Sequence, residues 1–235
     1  MRHAGALTVA SAALRERAVA AGAPPASVHL LPNGCEPPAW ERGSAAWRAA
    51  RDDFRRRHGL PADAPVLLWA TRFWETDLGR AARLFERILA GAPAARLLVA
   101  GATLTPGPPL PVGEGEERIQ AVGWLDAGDW PAALAAADLA LLPLDDTLRN
   151  RARCPAKAPQ MLAAGLPIVA HDVGEAGRYV EDGRSGVLAS TDDDFVAAAV
   201  RLLAHEAHRE GMARAAGDAA ERWSWNVLAG VAEAA

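Results

Sequence analysis

The chain has 235 residues but only two cysteines, a single lysine and no long apolar run. Cys35 and Cys154 are far apart, which excludes a disulfide framework or a CxxC metal knuckle and suits a reducing compartment. No apolar run approaches the roughly 20 residues of a membrane span. The net charge of −4 argues against general nucleic-acid binding, which usually requires a basic face. We therefore expect a cytoplasmic protein with no nucleic-acid partner and no transmembrane segment.

The N-terminal residues leave one alternative open. Residues 1–14 imitate a short signal peptide, because a basic residue precedes a mostly apolar stretch. The charged residues Arg15, Glu16 and Arg17 follow directly, and the same stretch fits a strand followed by a helix. The pattern favours a folded βα unit over a cleaved leader.

Short apolar runs alternate with helical segments along most of the chain. The clearest runs are Val66–Ala70, Arg96–Ala100, Leu139–Leu142 and Pro167–Ala170. Runs of four or five apolar residues between helices are typical of strands that are buried on both faces. The pattern predicts an α/β fold with a doubly wound parallel sheet, in which ligands bind beyond the carboxyl ends of the strands.

Helix and loop signals lie between these strands. Ser11 is placed to cap the helix that follows it, and either Thr191 or Asp192 to cap a helix that runs to about Ala204. Residues 155–164 predict a helix that is entered through a proline. Residues 102–116, rich in proline and glycine, and the charged residues 143–154 are expected to form loops.

Basic side chains follow two of the strands. Arg72 comes after the first of those runs, and Arg151, Arg153 and Lys157 come after the third. Lys157 is the only lysine, because the other 24 of the 25 basic residues are arginines. A guanidinium holds phosphate oxygens bidentately, and a helix N-terminus favours an anion. These cations therefore favour a phosphate ligand over a solvated surface run.

The same cations also allow an interpretation without a ligand. Asp145 and Asp146 lie in the basic stretch and could neutralise it, while Arg72 could be an ordinary surface arginine. His171 follows the fourth run and fits a structural polar residue better than a general base. No HExxH, Walker A or GxGxxG motif occurs, so motifs of this kind identify no reaction.

Three stretches of sequence carry a family resemblance: ADLALLP at 137–143, CPAK at 154–157 and LAAGLPIVA at 162–170. Together they resemble the donor half of retaining GT-B glycosyltransferases of the group 1 kind. HLLPNG at 29–34 is similar to the family's crossing between its two domains, and WSW at 223–225 to its returning C-terminal helix.

The resemblance implies three parts of the chain. Residues 1–34 would be a remnant of the first GT-B domain with the crossing segment, and residues 35–222 a Rossmann-like donor-binding domain. Residues 223–235 would be a C-terminal helix that returns toward the first domain. The implied activity is transfer of a hexosyl-type sugar from a nucleotide-sugar donor to an acceptor with retention, and no metal or other cofactor is implied.

The family's site residues carry over to some positions of this sequence. Arg72 matches the basic residue on the diphosphate, and Lys157 would face the same phosphates. Gln160 stands where the family usually has an acid on the nucleotide ribose, and the backbone at Gly123 and Trp124 would border the base. The catalytic residues themselves are not identified.

Several positions depart from the family pattern. The paired acids of the family correspond to Ala152 and Gln160, and its second phosphate-binding lysine corresponds to Asp77, with Arg80 one turn further on. One alternative is therefore a truncated or degenerate module that binds a nucleotide sugar without turning it over, together with a separate first domain. A nucleotide-sugar epimerase, which can share this architecture, is another.

The N-terminal βα unit has a consequence of its own. Its apolar side chains, among them Leu7, Val9, Leu14 and Val19, have to be covered by the main domain, by another copy or by a partner. We therefore expect either a separate acceptor-binding domain as partner or self-association of the chain.

Overall fold

The computed structural model describes residues 5–72, 75–101 and 116–233. The eight strands of these residues are β1 Leu7–Val9, β2 Val28–Leu30, β3 Val66–Ala70, β4 Arg96–Ala100, β5 Ile119–Gly123, β6 Leu139–Leu142, β7 Ile168–His171 and β8 Gly186–Ala189. The α-helices described are α1 Ala12–Ala20, α2 Ala45–Arg57, α3 Leu78–Gly91, α4 Asp129–Ala136, α5 Leu148–Ala152, α6 Lys157–Ala163, α7 Ala176–Tyr179, α8 Asp192–Ala204, α9 Glu206–Ala220 and α10 Trp225–Glu233. The loop expected at 102–116 lies outside the described residues except for its last position.

Six strands form one sheet in the order β5-β4-β3-β6-β7-β8, and every pair is parallel. Leu67 of β3 is paired with Leu97 of β4 on one side and with Leu139 of β6 on the other. The strand order therefore reverses between β3 and β6, which is where parallel sheets open a crevice for ligands at their carboxyl edge. The predicted doubly wound α/β fold is confirmed.

Both faces of the sheet are covered, which explains why its central strands are apolar throughout. Leu68 and Ala140 belong to the core on the side of α4 and α6, whereas Leu67 and Leu139 belong to the core on the side of α3 and α8. Every residue of β3 and β6 is buried. No described helix is both long enough and apolar enough to cross a lipid bilayer.

The N-terminal strands β1 and β2 form a separate two-stranded parallel sheet, with α1 between them. Ser11 caps α1 as expected, because its hydroxyl accepts a hydrogen bond from Leu14 N at 3.2 Å. The same hydroxyl donates to the carbonyl of Ala152 at 2.6 Å, and Glu175 Oε1 accepts from Ala12 N at 2.7 Å. The start of α1 is thereby held against the larger domain.

A second set of hydrogen bonds joins the segment after β2 to the larger domain. The hydroxyl of the buried Tyr179 donates to the carbonyl of Asn33 at 2.7 Å and lies 2.8 Å from Cys154 Sγ. Asn33 in turn donates through its amide Nδ2 to the carbonyl of Cys154 at 2.7 Å. Cys35 exchanges backbone hydrogen bonds with Trp223 and Trp225, so the C-terminal segment runs beside the same stretch.

Three local expectations were wrong. The charged stretch expected as a loop contains the short helix α5, which Thr147 caps by accepting from Asn150 N at 3.2 Å. The sequence of α5 has no apolar periodicity, so only its cap signalled it. The helix expected from Pro155 begins at Lys157, and β7 extends through His171, which is therefore a buried strand residue.

Candidate functional site

The adjacency of β3 and β6 brings two basic loops to one edge of the sheet. Arg72 lies two residues beyond β3, and Lys157 is the first residue of α6, in the connection from β6 to β7. Arg153 directly follows the short helix α5 in that same connection. Because parallel neighbours end at the same edge, all three cations lie at the carboxyl edge of the sheet.

A buried carboxylate lies among these cations. Glu75 accepts hydrogen bonds from Thr71 Oγ1 at 2.7 Å and from Arg72 N at 3.1 Å. Arg153 Nη1 lies 3.1 Å from its other oxygen. Burial by itself would raise the pKa of Glu75, but the hydrogen bond from Thr71 and the charge of Arg153 outweigh it and leave this pKa below its ordinary value.

Burial and neighbouring charges both act on the pKa of Lys157. Burial is the main reason why this pKa lies below its ordinary value, and the charge of Glu75 opposes the effect. The positive charges of Arg72 and Arg153 lower it further. The charge of Lys157 is therefore coupled to the charges of Glu75, Arg72 and Arg153. That Arg72 and Lys157 hold the same phosphates stays a prediction.

Internal ion pairs neutralise only some of the basic residues. Asp146 pairs with Arg151 at 2.5 Å, and both side chains are more than half exposed. Asp145 instead accepts from Arg80 Nη1 at 2.6 Å, on the side of the sheet that carries His171. Within the part of the chain that the structure describes, no carboxylate lies within ion-pair distance of Arg72 or Lys157.

The two candidate nucleoside positions lie on different elements. Gln160 is one turn along α6 from Lys157, so the two side chains share a helix face. Its Oε1 accepts from Trp130 Nε1 at 2.7 Å, which fixes the orientation of the amide. Gly123 ends β5 with a φ of +68°, and Trp124 beyond it is 64% exposed. These two residues lie at the carboxyl edge two strands from β3.

Tight backbone contacts fix the shape of this edge. A Cβ on Gly174, where φ is +59°, would lie 2.6 Å from the carbonyl oxygen of Asn150 and 2.8 Å from Arg151 Cα. The turn after β7 therefore lies directly against α5, and only glycine fits there. This contact sets the position of α5 and, through it, of Arg153.

Sequence reasoning missed Glu75 and Thr71. The sequence did contain a signal for both residues. Thr71 and Glu75 follow the buried strand Val66–Ala70 closely and lie on either side of Arg72. Among the residues described, no three His, Cys, Asp or Glu side chains gather as ligands of a metal ion would. The site consists of cations around one carboxylate, which is suited to binding an anion with two negative charges.

The parallel sheet, with its switch point between β3 and β6, gives the described chain a Rossmann-like α/β fold. The model of one family, described as glycosyl transferases group 1, matches residues 64–205. The chain belongs to this family. No curated protein matches this sequence.

Solved structures agree with the fold. HepE of Anabaena, solved with UDP and glucose, superposes with a TM-score of 0.74 at 18% identity, covering 99% of this chain and 63% of HepE. Sucrose-phosphate synthase of Thermosynechococcus elongatus gives 0.72 at 20% identity, covering 99% of this chain and 57% of the synthase. WaaG, a glycosyltransferase of lipopolysaccharide biosynthesis, superposes with a TM-score of 0.72 at 16% identity, covering 97% of this chain and 61% of WaaG. The chain thus spans about three fifths of the length of these proteins.

Proposed function

We propose that the chain binds a nucleotide sugar in the crevice between β3 and β6 and supplies the donor side of a glycosyl transfer with retention. The arrangement of Arg72, Arg153, Lys157 and Glu75 carries this proposal. Three positive charges and one negative charge leave two positive charges uncompensated among these four groups, and a nucleoside diphosphate brings the complementary charge.

Each residue has a defined part in the proposed site. The guanidinium of Arg72 and the ammonium of Lys157 hold the diphosphate, while Arg153 is oriented by Glu75 at 3.1 Å. Gln160 offers its amide to the ribose, and the exposed indole of Trp124 borders the base. Arg151, which pairs with Asp146, is the most peripheral of the proposed phosphate ligands.

The proposed role of the cations in catalysis follows from the negative charge that develops on the leaving diphosphate. When the bond between the sugar and the diphosphate breaks, the leaving oxygen gains negative charge, and Arg72 and Lys157 stabilise it in the transition state more than in the ground state. Burial of Lys157 strengthens this effect, because a partly desolvated charge interacts more strongly than one in water. Neither a metal nor another cofactor takes part in this proposal.

The experiment that tests the site is calorimetric titration with nucleoside diphosphates of several bases, UDP first. Lys157→Ala is expected to weaken binding about tenfold, or ~1.4 kcal/mol. Arg48→Ala is the control, since Arg48 is an exposed cation of α2. Equal affinities for Lys157→Ala and the parent chain would remove Lys157 from the site. NMR of the anomeric proton of the product tests retention.

A non-catalytic binding module is the second candidate. Position 152 is alanine and position 160 glutamine, so neither of the family's paired acids is kept, and the carbonyl of Ala152 is already bonded to Ser11. Binding of a nucleotide sugar without hydrolysis or transfer, alone and with added first-domain protein, supports this candidate. Turnover by the isolated chain contradicts it.

The proposal includes a partner for the N-terminal unit. In the described part of the chain β1 and β2 pair only with each other, and Leu14 of α1 is 36% exposed. A separate acceptor-binding domain or a second copy would cover this unit. Light scattering that shows a clean monomer, with residues 1–31 resistant to protease, contradicts self-association.

A further inference from the structure

Two adjoining cavities lie where residues 35–43, the bridging segment, run across α6 and α9. One has a volume of about 280 Å³ and the other about 960 Å³. Glu36 and Trp47 line both, and so does Ala163 at the end of α6. Lys157 begins the same helix, so the cavities lie roughly 9 Å further along its axis. Gln160, the residue proposed for the ribose, also lines the smaller cavity, so the cavities adjoin the nucleoside end of the donor site, whereas Arg72, Arg153 and Lys157 line neither cavity.

Two buried donors at the larger cavity have no hydrogen-bond partner among the described residues. These are Arg42 Nη1 and Trp47 Nε1. The other terminal nitrogen of Arg42 donates to Glu210 Oε1 at 2.9 Å, and the guanidinium lies 5.1 Å from the centre of the Trp47 ring. The two side chains thus hold each other in place while one N–H group of each stays unused. Leaving buried donors unpaired costs free energy, which a ligand with acceptor oxygens would recover.

The charges of the larger cavity select against anions. Its two cations are Arg42 and Arg214. The carboxylates that line it are Glu36, Glu41, Glu210, Asp218 and Glu221. A phosphate or carboxylate ligand would meet this excess of negative charge, whereas hydroxyl groups could donate to the carboxylates and accept from the two unused donors.

The smaller cavity supplies flat apolar surfaces. Four indoles line it, those of Trp40, Trp47, Trp130 and Trp225. Trp130 is held in one orientation because its Nε1 donates to Gln160 Oε1 at 2.7 Å. Indole rings offer broad apolar faces with a polar N–H at one edge, which suits a ring that is apolar on one face and carries hydroxyls at its rim.

We propose that the two cavities form a binding site for a neutral pyranose-containing glycan, adjacent to the donor site and away from its phosphate-binding cations. The proposal stands on the cavities alone and does not depend on the proposed donor binding. A cationic ligand would use the aromatic rings and carboxylates, but it has no acceptor for Arg42 and Trp47. A neutral sugar ring is the ligand that satisfies the donors, the carboxylates and the indoles together.

The test is NMR of the tryptophan side chains in the ¹⁵N-labelled chain, whose eight tryptophans give separate indole N–H signals. Methyl glycosides of glucose, galactose, mannose and N-acetylglucosamine are titrated to about 50 mM, which detects weak sugar binding. At least one is expected to shift the Trp47 signal saturably, and saturating UDP is expected not to displace it. The signal is assigned with Trp47→Phe.

Two variants and a control make the test decisive. Arg42→Ala is expected to weaken glycoside binding about tenfold, and Trp47→Phe, which keeps a ring but loses the N–H, about fivefold, as followed by the Trp130 signal. Arg48→Ala, which removes an exposed arginine of the same region, leaves binding unchanged. Thermal unfolding confirms that each variant is folded, and if Arg42→Ala is not, Trp47→Phe decides.

Three results overturn the proposal. One is the lack of any saturable shift of Trp47 with the glycosides. Another is a saturable shift with tetramethylammonium chloride in place of the sugars, which would indicate a cation site. The third is displacement of the glycoside by UDP, which would merge the cavities with a nucleotide site.

Discussion

Arg153 and Glu75 form an ion pair across 3.1 Å at the carboxyl edge of the sheet, with the carboxylate almost completely buried. The two residues come from different loops, one after β3 and the other after β6. The pair fixes the position of Arg153 while leaving Arg72 and Lys157 without a carboxylate of their own among the described residues. The site is thus built with one internal anion that orders the cations without neutralising them.

Replacement of Glu75 by glutamine is expected to destabilise the fold. The change leaves Arg153 without its carboxylate, and breaking a buried ion pair typically costs about 3 kcal/mol. Urea unfolding at pH 7 measures the loss. Arg48→Ala serves as a control for an exposed charge.

The same variant tests the pH dependence of this pair. The folded-state pKa of Glu75 is lowered, so its stabilising contribution is present above the ordinary glutamate pKa and is lost as the pH falls through the lower folded value. The difference in unfolding free energy between the parent chain and Glu75→Gln should therefore shrink below about pH 4. A difference that stays constant down to pH 3 would show that the carboxylate charge is not what stabilises the fold.

Gly174→Ala should disturb the site through α5. The new Cβ would meet the backbone of Asn150 and Arg151 at a φ of +59°, so we expect a loss of about 3 kcal/mol and weaker UDP binding. Gly183→Ala is the matched control, because Gly183 has a φ of +73° with nothing within 4 Å. It should cost about 1 kcal/mol and leave UDP binding unchanged. Equal losses for the two alanines would mean that contact with α5 is unimportant.

Tyr179→Phe tests how the segment after β2 is held. The change removes the hydroxyl that donates to Asn33 O and contacts Cys154 Sγ, and we expect a loss of about 1–2 kcal/mol in urea unfolding. A double-mutant cycle with Cys154→Ala should reveal coupling of at least about 0.5 kcal/mol, because the two groups share one network. Strict additivity would refute that network.

His171 should titrate below the ordinary histidine range. Burial is the main reason why its pKa is lowered, followed by the charge of Arg80, while Asp192 opposes both. Leu144 N donates to Nδ1 at 3.2 Å, which favours the neutral ring with its proton on Nε2. Keeping His171 neutral thus stabilises the fold above about pH 6.5. This contribution to the free energy of unfolding is lost as the pH falls from about 6.5 toward the lower pKa of His171 in the folded state.

NMR titration of the His171 ring protons measures this directly. We expect a midpoint below 6.5, and a higher midpoint in Arg80→Met, which removes the nearby cation. A midpoint at or above 6.5 in the parent chain would contradict the prediction.

Much of the fold could be predicted because the strands are short and uniformly apolar. The runs at Val66–Ala70, Arg96–Ala100 and Leu139–Leu142 coincide with β3, β4 and β6, since the buried positions of a strand covered on both faces have to be apolar. Arg96, which begins β4, is only partly buried. The short helix α5 was missed because its five residues LRNRA show no apolar periodicity, and the helix depends on a cap and on the turn at Gly174.

The cations of the candidate site could be proposed from the sequence, but its buried carboxylate could not. Arg72 and Lys157 were found because basic residues that follow buried strands stand out in the sequence. Glu75 was not, because its importance comes from contacts with Thr71 and Arg153, and the latter lies 78 residues further along the chain (153 − 75). Spacing in sequence gives no measure of such a contact.

The sequence by itself determined the alternation of strands and helices and the family to which the chain belongs, because apolar periodicity and short motifs are local properties. Only the tertiary structure decided which acid pairs with which cation: Asp146 with Arg151, Asp145 with Arg80, and Glu75 with Arg153. It also placed the guanidinium of Arg42 against the ring of Trp47 at the larger of the two cavities. Charges act through space over a few ångströms, so their partners depend on strand order and loop position rather than on distance along the chain.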